Sequence, residues 1–332
     1  MRALVTGGGG FLGGAIVRQL LKQGDEVRSF SRGTHPELGM MGVEQFRGDL
    51  GEREALLRAA DGCDTLFHVA AKAGIWGPYR EFFRANVTGT ENVLAACRRH
   101  GIRRLVYTSS PSVIFDGRDL EGGDETLPYP THYEAHYPKT KAQAEQMVLA
   151  ANSPLLATVS LRPHLIWGPG DNHLVPRIVA KGRNGRLRRI GVRPCLVDTV
   201  YVDNAAQAHL LAAQRLFPGS PVAGNCYFIT DGRPIPLWEM VNRILAAADI
   251  PPVTRGISTG AALAAGVVCE ALWNILSLSG EPPMTRFMAR ELTTSHWFST
   301  VAAGRDLDYE PTVSLEEGLL MLRAWLKGSS PP

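Results

Sequence analysis

The chain has 332 residues, 45% of them hydrophobic, and a formal net charge of +3. This length supports a large core and is long for one compact domain, so we expect one large α/β domain with a smaller partner domain. The mild charge gives no argument for a nucleic-acid partner, and five scattered cysteines without a Cys-x-x-Cys pair predict neither a disulfide framework nor a metal site.

The first half of the chain alternates short apolar strands with helices. The pattern predicts strands at 3–6, 26–31, 43–46, 64–69, 104–108 and 157–161, with helices between them at 11–21, 53–60, 81–99 and from 137 onward. Such strands pair in parallel through right-handed crossovers, which predicts a doubly wound, Rossmann-type sheet. We expect a nucleotide-binding domain over 1–165, rejoined by later strands near 196–230. A smaller, mostly helical substrate domain would comprise 166–195 and 231–330.

The start of the chain and one apolar segment bear on its location. MRALVTGGGG already reads as a strand and a turn, so we expect no signal peptide and a cytoplasmic protein. Residues 260–280 are apolar and long enough to span a membrane, but Glu270 and Asn274 interrupt them. We expect a buried or interfacial helix there, and peripheral contact with a lipid surface stays open.

A glycine-rich turn, within VTGGGGFLGG, follows the first strand and opens the first helix. Glycines at G-x-x-G-x-x-G spacing permit a tight turn, a close approach of backbone N–H groups to a pyrophosphate, and tight packing of helix on sheet. The motif occupies the strand–turn–helix position that this mechanism requires. It predicts nucleotide binding by Gly7, Gly10, Phe11, Leu12 and Gly13.

The end of the second strand bears on which nucleotide binds. NAD sites usually carry an acid there, whereas this chain has Ser31 and Arg32. Because a guanidinium suits a 2′-phosphate, the sequence favours NADP(H) over NAD(H), with an ordinary loop arginine as the alternative. Further cofactor contacts are expected where the third and fourth strands end, at Asp49, Leu50, Ala70 and Ala71.

The stretch HYPKTKAQAE, residues 136–145, predicts a helix that begins with a tyrosine and carries two lysines. Pro138 is tolerated only in a first turn, which places Tyr137 at the helix entrance. A helix turns by about 100° per residue, so Lys141 returns to the face of Tyr137 whereas Lys139 points elsewhere. The spacing alone is common by chance, and a solvated tyrosine and lysine pair is the alternative.

Eight motifs in order resemble the extended short-chain dehydrogenase/reductases over essentially the whole chain: TGGGGFLG, GDL, HVAA, NVTGTENVL, YTSS, YPKTK, LRPHLIWGPGD and LDYEPTVSLEEGLLMLRAWL. The resemblance implies a catalytic trio of Ser110, Tyr137 and Lys141, and it adds Pro163 to the cofactor contacts. In this chemistry the tyrosine donates a proton to a carbonyl oxygen that the serine holds, and a nearby ammonium lowers the pKa of the tyrosine. The lysine would also hold the nicotinamide ribose. Asn86 matches a family asparagine, with a structural role equally open.

Within that family the chain is similar to the 3β-hydroxysteroid dehydrogenase-like branch, where two enzyme groups compete. AAKAGIWGPY and LRPHLIWGPGDNHLVPRI resemble bacterial 2-alkyl-3-oxoalkanoate reductases of long-chain olefin biosynthesis. That implies NADPH-dependent reduction of an apolar β-keto acid to the hydroxy acid. PSVIFDG and LRPHLIWGPGD also resemble sterol-4α-carboxylate 3-dehydrogenases, which oxidise a 3-hydroxyl, so a 3β-hydroxysteroid or sterol-4α-carboxylate 3-dehydrogenase is the alternative. A non-catalytic NADP-binding sensor on the same fold is a third reading.

Three questions about partners stay open at this level. The basic run KGRNGRLRRIGVRP, residues 181–194, would either clamp a substrate carboxylate or form a solvated face. A homodimer is one expectation, and contact with other enzymes of the olefin pathway is another. Neither follows from the residues themselves.

Overall fold

The computed structural model describes residues 1–328, in which fifteen strands form. They are β1 (Arg2–Thr6), β2 (Glu26–Ser31), β3 (Glu44–Arg47), β4 (Thr65–His68), β5 (Arg104–Thr108), β6 (Leu120–Gly123), β7 (Ala157–Pro163), β8 (Ile166–Trp167), β9 (Arg189–Ile190), β10 (Leu196–Val197), β11 (Val200–Tyr201), β12 (Cys226–Ile229), β13 (Ile235–Pro236), β14 (Gly256–Ile257) and β15 (His296–Phe298).

Thirteen α-helices accompany these strands within the same residues. They are α1 (Phe11–Lys22), α2 (Pro36–Met40), α3 (Arg53–Ala60), α4 (Tyr79–Phe82), α5 (Gly89–His100), α6 (His136–Ala150), α7 (Leu174–Arg183), α8 (Val202–Arg215), α9 (Leu237–Ala247), α10 (Thr259–Ile275), α11 (Arg286–Glu291), α12 (Val301–Leu307) and α13 (Leu315–Leu326). A π-helical segment, Phe83–Thr88, joins α4 to α5, and a 3₁₀ turn, Pro111–Ile114, follows β5.

Seven strands form one parallel sheet in the order β12-β7-β5-β4-β1-β2-β3. The order reverses between β1 and β4, the kind of switch point where open α/β sheets bind ligands beyond the carboxyl ends of their strands. The glycine turn after β1, the segment after β4 and the serines after β5 therefore share one edge. The predicted doubly wound parallel sheet is confirmed.

Helices cover both faces of this sheet, each over its own apolar core. Ala3 and Val5 belong to the core beneath α1 and α8, whereas Leu4 belongs to the core beneath α3 and α5. Side chains alternate between the faces of a strand, so a strand that is buried on both sides must be apolar throughout. This explains the continuous apolar run at the start of the chain.

Segment 196–230 does not rejoin the main sheet as one unit. β12 extends that sheet beside β7, but β10 lies in a four-stranded sheet with β13, β15 and β6, and β11 pairs with β8. Contacts with the C-terminal part of the chain hold β10 there, since Val197 pairs with both Ile235 and His296. The expectation of rejoining is wrong for residues 196–201. The division into two domains stays a prediction.

Two predicted helices differ in detail from those observed. The helix expected over 81–99 is interrupted by the π-helical segment Phe83–Thr88. Residues 260–275 of the apolar stretch 260–280 belong to α10, which ends at Ile275 and leaves the side chains of Val267, Val268 and Ile275 exposed. Among residues 1–328, no helix is both long and apolar enough to cross a membrane.

Candidate active site

The glycine turn has the geometry of a phosphate-binding loop. Gly7 adopts a φ of 75°, and its carbonyl oxygen accepts a hydrogen bond of 2.8 Å from the Gly10 amide. A Cβ atom on Gly13 would lie 2.1 Å from that carbonyl oxygen, so this position accepts only glycine. Gly10 occupies the N-cap position of α1 and has no side chain that could cap the first amide groups of the helix. These amide groups therefore stay available to an anion. The loop therefore fits the pyrophosphate of a dinucleotide.

Two arginines lie where β2 and β3 end. Arg32 is exposed, and its carbonyl oxygen accepts a hydrogen bond of 2.9 Å from Nε of Arg47. Arg47 pairs in register with Ser31, whose hydroxyl donates to the Gly33 carbonyl at 2.8 Å. Sequence reasoning missed Arg47, although its place at the end of β3 was a usable signal. Asp49 accepts from the Gly51 amide at 2.9 Å, which holds the next turn.

The structure brings Ser110 and Tyr137 together at the same edge of the sheet. Tyr137 is the second residue of α6, and Ser110 caps the 3₁₀ turn after β5 by accepting from the Ser112 amide at 3.2 Å. Burial raises the pKa of Tyr137 to about 12, and the nearby Ser110 side chain opposes this rise. The catalytic roles of both residues stay predictions.

The two lysines of the YPKTK motif lie in different surroundings, as helical periodicity predicts. Lys139 is exposed and lies over the ring of Tyr79. Lys141 is 2% exposed, and its Nζ donates to the Thr108 carbonyl at 2.5 Å. Burial lowers the pKa of Lys141 to about 7. The expected lowering of the Tyr137 pKa is wrong for this structure: burial raises it, and the ammonium is engaged by a backbone carbonyl.

A buried ion pair fixes α6 against β7. Glu145, one turn after Lys141, is fully buried and accepts from Nη2 of Arg162 at 2.6 Å, from the Ser160 hydroxyl at 2.7 Å and from the Tyr129 hydroxyl at 2.6 Å. The three bonds lock the helix that carries the tyrosine and the lysine. Sequence reasoning missed the pair, because nothing local joins residues 17 positions apart.

Asn86 links two further parts of the site. Its Oδ1 accepts from the Lys72 amide at 2.8 Å, and its Nδ2 donates to the Lys72 carbonyl at 3.1 Å and to the Thr140 hydroxyl at 3.0 Å. The segment that carries Ala70 and Ala71 is thus tied to α6 beside Lys141. The π-helical turn around Asn86 is the kind of irregularity that often marks functional positions. These contacts are those of a positioning residue.

Three titratable residues that sequence reasoning did not single out lie near this centre. His164 follows Pro163 at the end of β7, and its Nε2 lies 2.7 Å from Nδ1 of His296. Burial lowers the pKa of both histidines. Burial also raises the pKa of Glu291 to about 7. The negative charge of ionised Glu291 in turn raises the pKa of Tyr137 further. The motif LRPHLIWGPGD contains His164, but no sequence pattern points to its partner.

The basic run lies on the surface, and several of its arginines contact nearby carboxylate or backbone carbonyl groups. Arg193 pairs with the carboxylate of Asp119 at 2.6 Å, and Arg188 donates to the carbonyls of Gly185 and Leu187. Arg189 donates to the carbonyl of Val192 and belongs to β9, which pairs with β14 just before α10. The run is therefore a partly solvated face beside the apolar helix.

The comparisons with known proteins agree with this arrangement. Residues 4–255 match the model of the 3-beta hydroxysteroid dehydrogenase/isomerase family. The 2-alkyl-3-oxoalkanoate reductase of Stenotrophomonas maltophilia is 54% identical over 98% of this chain and 99% of that protein. The human sterol-4-alpha-carboxylate 3-dehydrogenase, decarboxylating, is 34% identical over 96% of this chain and 86% of its own length.

A solved structure of similar fold is the UDP-glucose 4-epimerase of Thermus thermophilus in complex with NAD. It superposes with a TM-score of 0.76 at 25% identity, over 99% of each chain. The prediction of a nicotinamide-dependent oxidoreductase is thereby confirmed at the level of the family, although the choice between NADP and NAD is not. The family match covers well over half of the chain, and its reductase and dehydrogenase members align along nearly all of it. This chain belongs to the 3-beta hydroxysteroid dehydrogenase/isomerase family.

Proposed function

We propose that this protein reduces the ketone of a 2-alkyl-3-oxoalkanoic acid to the 2-alkyl-3-hydroxyalkanoic acid, with NADPH, as a step of long-chain olefin biosynthesis. The observation that carries the proposal is 54% identity to a reductase of that name over nearly the full length of both chains. Ser110, Tyr137 and Lys141 supply the groups that this reaction needs.

A nicotinamide cofactor held at the glycine turn would supply the hydride. Ser110 holds the carbonyl oxygen by a hydrogen bond, and Tyr137 donates the proton to it. A tyrosine whose pKa is about 12 is fully protonated at neutral pH, which suits a proton donor in the direction of reduction. Lys141, with a pKa of about 7, exchanges protons readily with its surroundings at that pH. The ion pair of Glu145 and Arg162 keeps α6 in place while this occurs.

Turnover with a small substrate panel tests the proposal. NADPH oxidation at 340 nm is measured with a 2-alkyl-3-oxoalkanoic acid and a 3-ketosteroid, and NAD⁺ reduction with a sterol-4α-carboxylate. We expect the keto acid to give the highest kcat/KM. A higher value with the sterol would favour the dehydrogenase, which the 34% identity to its human form supports as the second candidate. Tight NADPH binding without any turnover would indicate a sensor.

The preference for NADPH is part of the proposal and rests on Arg32, assisted by Arg47. Removing a guanidinium that pairs with a phosphate costs about 10- to 100-fold in affinity. Arg32→Ala should therefore lower kcat/KM for NADPH by that factor and leave the value for NADH nearly unchanged. A wild-type protein that prefers NADH would contradict this part alone.

We also propose that α10 touches a lipid surface from which apolar substrates are drawn. Its exposed side chains include those of Val268, Leu272 and Ile275, and Arg189 of the neighbouring basic run lies beside the strand that precedes the helix. Apolar helices flanked by basic residues bind anionic membrane surfaces. Co-sedimentation with anionic vesicles should be lost in a Leu272→Asp, Ile275→Asp variant. Unchanged co-sedimentation of that variant would contradict the proposal.

A further inference from the structure

A pair of histidines lies at the carboxyl edge of the main sheet and has no part in the reaction described above. His164 follows the end of β7, and β7 lies beside β5, which leads into Ser110. His296 opens β15, and the two rings meet edge to face with centroids 4.8 Å apart. The pair therefore lies where the main sheet meets the C-terminal part of the chain. Its link to the catalytic residues is Glu291, whose carbonyl oxygen contacts His296 and whose charge raises the pKa of Tyr137.

The hydrogen bonds of the pair determine which nitrogens carry protons. Nε2 of His296 lies 2.9 Å from the carbonyl oxygen of Glu291, which can only accept, so this nitrogen carries a hydrogen. In a neutral ring Nδ1 of His296 is then an acceptor, and Nε2 of His164 donates to it at 2.7 Å. Nδ1 of His164 is left unprotonated, and within residues 1–328 it has no hydrogen-bond partner. His164 is half-buried, and its Nδ1 keeps some solvent-accessible surface, so this nitrogen can meet a ligand.

The proposed substrate carries a carboxylate, and the other buried cations near the centre are engaged. Lys141 donates to the Thr108 carbonyl, and Arg162 pairs with Glu145. Resting on the function proposed above, we propose that Nδ1 of His164 binds the substrate carboxylate after taking up a proton, with the positive charge shared with His296. The pair would thus select substrates that carry an acid beside the ketone.

The surroundings of the pair favour protonation of His164 only when the substrate carboxylate binds. Burial lowers the pKa of both histidines, so the free pair is neutral near pH 7, and a carboxylate at hydrogen-bond distance favours the charged form. The titratable and charged groups on the elements packed around the pair include Glu291 on α11, Asp198 after β10, Glu121 on β6, Asp119, which is paired with Arg193, and Arg162 on β7, which is paired with Glu145. Ionised Glu291 opposes a second carboxylate, so binding should weaken as the pH rises.

A substitution at His164 separates recognition of the carboxylate from catalysis. His164→Gln keeps a donor toward His296 but removes the site that is protonated. The 2-alkyl-3-hydroxyalkanoic acid and its methyl ester are oxidised with NADP⁺, because the hydroxy acid does not decarboxylate spontaneously. We expect KM for the acid to rise about 10- to 100-fold and KM for the ester to change less than about twofold. The matched control is His132→Gln, at an exposed histidine, which should change neither value.

A pH series on the wild-type protein gives a test that requires no variant to fold. Because the acid binds together with a proton, its KM should rise with pH, approaching tenfold per unit above the pKa of the free pair, while KM for the ester stays flat. The rise should persist in Glu291→Gln. Loss of the rise in that variant would assign it to Glu291 and overturn the proposal. Equal effects of His164→Gln on acid and ester would also overturn it. A wild type that converts neither compound would instead refute the proposed function.

Discussion

Replacing Glu145 with Gln should lower the free energy of unfolding far more than removing one exposed charge does. Glu145 is fully buried and Arg162 is 2% exposed, so the change leaves a guanidinium in the core without a counter-charge. Breaking one side of a buried ion pair costs about 3–5 kcal/mol. Burial raises the pKa of Glu145, but the hydrogen bond and charge of Arg162 outweigh this and hold it below its ordinary value. A lowered pKa means that the contribution is present at neutral pH and is lost as the pH falls through it.

The assay is urea unfolding at pH 7, with the free energy of unfolding compared between variants. Asp249→Asn is the matched control, because both ion pairs of Asp249, with Arg323 and with Lys327, are exposed and their loss should be barely measurable. The double change Glu145→Gln, Arg162→Met removes both charges and should recover much of the loss. A Glu145→Gln variant no less stable than the control would refute the reasoning.

Three further predictions concern the site and its surroundings. Tyr137→Phe should lower kcat by about 10²- to 10⁴-fold with NADPH binding retained, whereas Lys139→Ala should leave kcat nearly unchanged. A larger loss of kcat in Lys139→Ala than in Tyr137→Phe would contradict the catalytic role of Tyr137. Gly13→Ala should abolish NADPH binding measured by fluorescence, because its Cβ would lie 2.1 Å from the Gly7 carbonyl oxygen. Asp198→Asn should raise the melting temperature more at pH 8 than at pH 5, because burial raises the pKa of Asp198 from its ordinary value of 3.8 to about 6. The cost of its charge to the folded state therefore grows between these two values, is incomplete at pH 5 and is fully present at pH 8. Equal shifts at both pH values would show that charge is not the cause.

Features that depend on neighbours in the chain could be predicted from the sequence. The glycine turn, the helix start before Pro138 and the separation of Lys139 from Lys141 all follow from backbone geometry over a few residues. The alternation of apolar strands with helices was sufficient to predict the parallel sheet, because a strand buried on both faces must be apolar throughout. The ordered motifs then identified the family, since they extend along nearly the whole chain.

Features that depend on distant partners were decided by the tertiary structure alone. The pKa of Tyr137 is raised rather than lowered, because burial and the position of the Lys141 ammonium arise only when β5 and α6 pack together. The strand β10 leaves the main sheet because its partners come from the C-terminal part of the chain. The bond between His164 and His296 joins residues 132 positions apart. Hydrogen-bond partners, burial and charge at such distances are set by packing, and no local periodicity encodes them.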